Sequence, residues 1–190
     1  MAGLQPTELT LIRHAPVVSD GRAYGRRDVE ADCSDTSAIE ALRARLGQPR
    51  RILHSPARRC IQTMQAIWPG AAGTPVAAFW EQDLGDWEGR AYADLPDLGP
   101  LSRAELAAHR PENGESFDDL CARVAPALQD MARAGPAAIV AHAGTIRAAL
   151  GLALGAQAAA LAFDIAPLSI TRLGVLDDET FIIRSVNETA

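Results

Sequence analysis

The 190-residue chain contains no lysine: all 18 basic side chains are arginine, set against 24 acidic ones for a formal net charge of −6. The acidic balance argues against general nucleic-acid binding, which needs a basic surface to neutralise phosphates. It leaves room for a small basic pocket around an anionic metabolite, and guanidinium is the better planar, bidentate partner for phosphate. Cysteine is scarce too. Cys33, Cys60 and Cys121 are odd in number and widely spaced, which excludes a disulfide scaffold, and no Cys/His spacing points to zinc. The opening MAGLQPTELTLIRH lacks a positive region ahead of an apolar run, so no signal peptide is expected. The longest greasy stretch, 148–163, is interrupted by Gly151, Gly155 and Gln157 and falls short of the ~20 residues of a spanning helix. A cytoplasmic protein with no membrane partner is expected. The 12 prolines and 15 glycines stay well below the roughly 25–30% of a low-complexity chain. With no repeat or linker to divide it, residues 1–190 are expected to form one domain.

Apolar residues make up 48% of the chain, and their spacing alternates between two periods. Leu9–Ile12, Arg51–His54 and Val76–Phe79 read as short strands. Ala137–Ala141 reads as a strand buried on both faces. Helical spacing marks 35–46 behind a Ser34 cap, 58–68, 101–109, 116–133 behind a Ser116 cap, and 145–154. The segment 81–100 reads as irregular, and 169–176 with 180–185 as a closing hairpin around Asp177-Asp178. Alternating strands and helices predict an α/β three-layer sandwich, with helices on both faces of a mostly parallel sheet.

Three strand ends carry reactive side chains: Arg13-His14, His54-Ser55 with Arg58 nearby, and His142 ahead of Ala143-Gly144. Ligands of open parallel sheets bind outside the carboxyl ends of the strands, so these segments share one rim. Two guanidiniums, two imidazoles and a helix N-terminus on one rim form an anion trap. Taken alone, His54 and His109 read as structural or surface residues, and no GxSxG elbow supports a serine nucleophile.

The ordered motifs resemble the histidine phosphatase superfamily, which includes the phosphoglycerate mutases. LIRHA (11–15) is similar to the family's RHG motif, YGRRD (24–28) to its GxxD loop, and SPARRCIQT (55–63) to SPLxRaxqT. WEQDLGDWEG (80–89) is similar to LxExxFGxWEG, NGESFDDLCARV (113–124) to GES…R, and VAHAGTIRAAL (140–150) to HGGxIR. The WEG segment looks most like the branch containing α-ribazole phosphatases. The resemblance implies a phosphoglycerate mutase-like fold and a phosphatase that needs neither metal nor cofactor. Its substrate would be a small phosphorylated metabolite, such as α-ribazole 5′-phosphate.

By the same resemblance, His14 becomes phosphohistidine, Arg13 and Arg58 hold the phosphoryl oxygens, and His142 stabilises charge in transfer. Glu81 donates the proton, with Asp83 competing, and the Ala143 N–H touches phosphate. Asp20, Tyr24 and Arg26 are candidates for the substrate loop. Ala15, Pro16 and Val17 depart from the family's glycine and Glu-Thr pair, removing a hydroxyl at Val17. Asp20 stands where asparagine often binds phosphate. The chemistry of the residues agrees: flanking guanidiniums favour the neutral, nucleophilic form of His14, and arginines and histidines can stabilise equatorial oxygens in phosphoryl transfer. Two alternatives stay open, a phosphotransferring mutase and a non-catalytic phospholigand-binding module. Trp80, Trp87, Tyr24 and Phe117 are candidates for an apolar leaving-group pocket, although aromatics at these spacings are more often core.

Overall fold

The computed structural model describes residues 6–18, 21–176 and 180–189. The chain runs β1 (Thr7–Arg13), α1 (Thr36–Leu46), β2 (Ile52–His54), α2 (Arg58–Ile67) and β3 (Thr74–Pro75), then through an irregular stretch to α3 (Arg103–Ala108). It continues as α4 (Phe117–Arg133), β4 (Ala137–Ala141), α5 (Ala143–Leu154), β5 (Ile170–Val175) and β6 (Phe181–Glu188). The strands form one six-stranded sheet in the order β3-β2-β4-β1-β5-β6. The first four in that order are parallel, while β5 runs antiparallel to both β1 and β6. This is an α/β sandwich, with helices packed on both faces of the sheet.

Strand side chains alternate between the two faces, and the core divides accordingly. Ile12, Ile52, Ala138 and Val140 meet Ile39 and Leu42 of α1 and Cys60, Met64 and Ile67 of α2. Leu9, Leu11, Ile139 and Leu173 meet Leu120, Val124 and Leu128 of α4 and Ile146 and Leu150 of α5. The central strand β4 is buried at all of its positions, so it consists of apolar residues throughout.

Local chemistry sets the helix starts. Ser116 Oγ accepts the Asp119 N–H while the Asp119 carboxylate accepts the Ser116 N–H, a reciprocal cap at α4. Ser102 and Glu105 do the same at α3. At α1 the cap is Asp35, whose carboxylate accepts the Ala38 N–H, rather than Ser34. The expected strand 76–79 is a second difference. The edge strand ends at Pro75, and Ala77–Phe79 makes a 3-10 turn that drops Phe79 into the core. Proline suits an edge position because it has no N–H to donate, and the turn delivers Glu81 to the rim. Within the apolar stretch 148–163, α5 stops at a left-handed Gly155, and a 3-10 segment over Gln157–Ala162 follows. The strands β5 and β6 pair as a hairpin, and its expected turn at Asp177-Asp178 lies outside the described residues.

Candidate active site

The sheet order β2-β4-β1 brings three strand ends side by side, with Arg13 opposite Ala141 and His54 opposite Val140. The ladder then continues past the strands: the His14 N–H donates to Ala141 O at 2.9 Å and the Ser55 N–H to Val140 O at 3.0 Å. His14, Ser55 and His142 therefore leave the sheet together. A cavity of about 260 Å³ opens at this rim, lined by Arg13, His14, Val17, Arg22, Tyr24, Arg59, Glu81, Tyr92, Ala143 and Arg147. That is slightly below the ~300–1,000 Å³ of drug-sized ligand sites, a volume suited to a small metabolite. A larger cavity of about 450 Å³ lies at the opposite end of the strands, among residues such as Glu8, Thr10, Arg50 and Arg172. It has no imidazole, and Arg172 there is paired with Glu8 at 3.0 Å, so the chemistry belongs to the smaller cavity.

The His14 ring is fixed by its own backbone. Its Nδ1 lies 2.7 Å from Ala15 O. A carbonyl oxygen only accepts, so Nδ1 carries the proton and the Nε2 lone pair is left for reaction. Burial, then Arg59 and Arg13, lower the pKa of this imidazole from 6.5 to about 3. His14 is thus neutral at pH 7, with Nε2 as its unprotonated nitrogen.

His142 stands directly behind it, edge to face at a centroid distance of 5.2 Å, and is fully buried. Arg59 Nε donates to His142 Nδ1 at 3.3 Å. Nδ1 must then be the acceptor, and Nε2–H donates to Ser55 Oγ at 2.8 Å. Burial, then Arg59 and His14, push this imidazole well below 6.5.

The guanidinium expected from Arg58 is instead that of Arg59. Arg58 turns outward to Glu30 at 2.7 Å, with more than half of its side chain exposed, while Arg59 is 1% exposed. Helix geometry is the reason. The buried face of α2 comprises Arg59, Cys60, Thr63, Met64 and Ile67, and Arg58 lies off that stripe by one ~100° step. The apolar spacing of Cys60, Met64 and Ile67 carries this signal, as does the fifth position of the SPARRCIQT motif. Thr63, one turn beyond Arg59, accepts the Ala15 N–H at 2.9 Å and so ties α2 to the loop after β1.

Glu81 reaches the rim and Asp83 does not. Glu81 Oε2 accepts the Gly144 N–H at 3.2 Å, at the N-terminus of α5. Asp83 caps the Gly85 N–H and faces Arg26. There is no space for a Cβ at Gly144: it would overlap Glu81 Oε1 and approach Leu120 Cδ2 to 2.9 Å. Arg13 donates to Ile165 O, while its Nε is buried without a protein partner. Burial lowers the pKa of this guanidinium and Glu81 opposes that shift.

Among the substrate-loop candidates, Tyr24 lines the cavity. Arg26 points away, to Asp83 at 3.7 Å and Glu115 at 3.6 Å. Asp20 lies outside the described residues. The aromatic candidates separate: Trp87 and Phe117 line a different apolar cavity with His109, and Trp80 packs on the α1/α2 side of the core. Arg22 and Tyr92 are additions that the motifs do not single out, and Arg147 is the closing arginine of the HGGxIR-like segment. They come to the rim through the Arg22–Ala91 bridge and the second turn of α5. Among the described residues, no group of three or more His, Cys, Asp or Glu is placed to hold a metal ion. No helix there is long and apolar enough to cross a membrane.

The sequence from residue 9 to residue 189 matches the histidine phosphatase superfamily, branch 1. The chain belongs to this superfamily. A mycobacterial glucosyl-3-phosphoglycerate phosphatase superposes with a TM-score of 0.84 at 24% identity, covering 97% of this chain and 100% of that one. A phosphoserine phosphatase from Entamoeba histolytica gives 0.80 at 20% identity, with 96% and 97% covered. A putative α-ribazole-5′-phosphate phosphatase from Escherichia coli gives 0.81 at 18% identity, with 97% and 98% covered. The chain is 26% identical over 140 residues to the Caenorhabditis elegans 6-phosphofructo-2-kinase/fructose-2,6-bisphosphatase, covering 72% of this chain but only 28% of that protein. All three of these structural neighbours are named as phosphatases.

Proposed function

We propose that this histidine phosphatase is a metal-independent phosphomonoesterase that passes through a phosphohistidine on His14 and acts on a small phosphorylated metabolite. The supporting observation is the neutral His14 ring, with Nδ1–H committed to Ala15 O, facing a cavity that also holds Arg13, Arg59, Glu81 and Ala143. In the first step Nε2 attacks phosphorus and the P–O ester bond breaks. The leaving alkoxide takes the proton of Glu81, a contribution of about 10²–10⁴-fold for general acids. Arg13, Arg59 and the Ala143 N–H neutralise the equatorial oxygens during in-line transfer. In the second step Glu81 accepts a proton from water, the water oxygen bonds to phosphorus, the N–P bond breaks, and phosphate leaves. His142 acts behind the reacting atoms: its Nδ1 orients Arg59.

The cavity has room for a phosphoryl group and a small alcohol, with Tyr24 and Tyr92 at its wall. A nucleoside-sized leaving group such as that of α-ribazole 5′-phosphate would extend over the exposed Tyr92 ring. We read residues 1–190 as one catalytic domain. The test is hydrolysis of an aryl phosphate in excess EDTA, followed by a panel of α-ribazole 5′-phosphate, phosphoserine and 3-phosphoglycerate. Turnover should persist in chelator, be inhibited by vanadate and vanish in His14→Ala. Loss of turnover in EDTA, or its survival in His14→Ala, would overturn the mechanism.

A further inference from the structure

The mechanism leaves Glu88, in the Trp87-Glu88-Gly89 triplet, unused. The half-buried Glu88 accepts three backbone N–H groups: Arg26 at 2.6 Å and Leu84 at 3.2 Å on Oε1, and Arg27 at 2.8 Å on Oε2. The other side of the 25–27 loop faces Arg59. Its guanidinium donates to Gly25 O at 2.6 Å and to Arg27 O at 3.1 Å.

The Gly25 carbonyl and the Arg26 N–H belong to a single peptide group. One planar amide is therefore held between a carboxylate on its N–H and a guanidinium on its C=O. Each charge polarises the amide in the direction that strengthens the other bond. The loop must lie close to the carboxylate for this, and it does: a Cβ on Gly25 would collide with Gln82 O and Glu88 Oε1.

From this geometry we propose that Glu88 is a positioning residue for phosphoryl transfer, acting on Arg59 through the Gly25–Arg26 peptide. Glu88 does not line the cavity and touches no reacting atom. Its effect is to hold the carbonyls that aim Arg59 at His142 Nδ1 and at the cavity. The proposal rests on the phosphatase reading for its activity readout but not for the hydrogen-bonded chain itself.

A double-mutant cycle tests it, using the full chain, an aryl phosphate and vanadate. Glu88→Gln should lower kcat/KM and weaken vanadate inhibition by about tenfold, the low end of the 10–100-fold loss typical when the support of a functional ligand is removed. In an Arg59→Ala background the same substitution should cost less than about twofold, because the group it orients is gone. Equal losses in both backgrounds would make Glu88 a general loop brace and overturn the proposal, as would an unchanged kcat/KM. A second measurement leaves Glu88 intact: the NMR shift of the Arg26 amide proton should move upfield in Arg59→Ala as polarisation of the peptide is lost. An unmoved shift also refutes the coupling. If the wild-type chain hydrolyses no phosphate ester, the phosphatase reading fails and the amide shift still decides the inference.

Discussion

Acidification from pH 7 to pH 5 separates a buried, guanidinium-flanked nucleophile from an ordinary histidine. With its pKa pushed down to about 3 by burial, Arg59 and Arg13, His14 should be about 99% neutral at pH 5. An imidazole at 6.5 would be about 3% neutral, a difference of roughly 30-fold in reactive nucleophile. The assay is an NMR titration of the His14 ring, assigned with His14→Gln, beside the pH profile of kcat/KM on an aryl phosphate of known second ionisation. After correction for substrate ionisation, no acid limb belonging to His14 should appear between pH 7 and 5. The same shift carries a stability consequence with a definite sign. Between pH 6.5 and about 3 the unfolded chain binds a proton at His14 that the folded chain does not. The penalty is therefore absent above pH 6.5 and grows as the pH falls, to about 2–3 kcal/mol at pH 4.5. His142, lowered by burial, Arg59 and His14, pushes in the same direction. A titration midpoint for His14 above about 5 would refute the reasoning, since the pocket would then be wet or the arginines directed elsewhere.

Neighbouring arginines should behave very differently. Arg59→Ala is expected to lose on the order of 10²–10³ in rate, as when an oxyanion donor is removed. Arg58→Ala should stay within about threefold and change stability by less than about 1 kcal/mol, since its pair with Glu30 is exposed. Equal rate losses would mean that both guanidiniums reach phosphate. Gly144→Ala should displace the Glu81 carboxylate, because the new Cβ would overlap Oε1. Like Glu81→Gln, it should slow esters with poor leaving groups more than aryl phosphates, by at least about tenfold. A uniform loss across leaving groups would move the proton-donor role elsewhere.

Much of the molecule is legible in the amino-acid sequence. Ala137–Ala141 contains no polar residue, and a strand covered on both faces requires that; it is the buried centre of the sheet. The ends of β1, β2 and β4 hold His14, Ser55 and His142 in the order that a shared rim demands. Ser116 followed by Asp119 encodes the start of α4. Other features depended on competing local choices: Asp35 and Ser34 are both competent caps, and Pro75 ends a strand whose composition would otherwise extend it.

The periodicity of the layers, the rim and the residue types that meet there are therefore written into the chain. Direction came from packing. Arg58 and Arg59 are adjacent in the chain and chemically identical, and a ~100° rotation about the α2 axis sends one to Glu30 and buries the other against His142. Glu81 and Asp83 are likewise equivalent carboxylates until the 3-10 turn at 77–79 presents the first to Gly144. The tautomers of His14 and His142 follow from which partners can only accept and which can only donate. Those partners are set by packing between segments far apart in the chain, which composition and spacing do not carry.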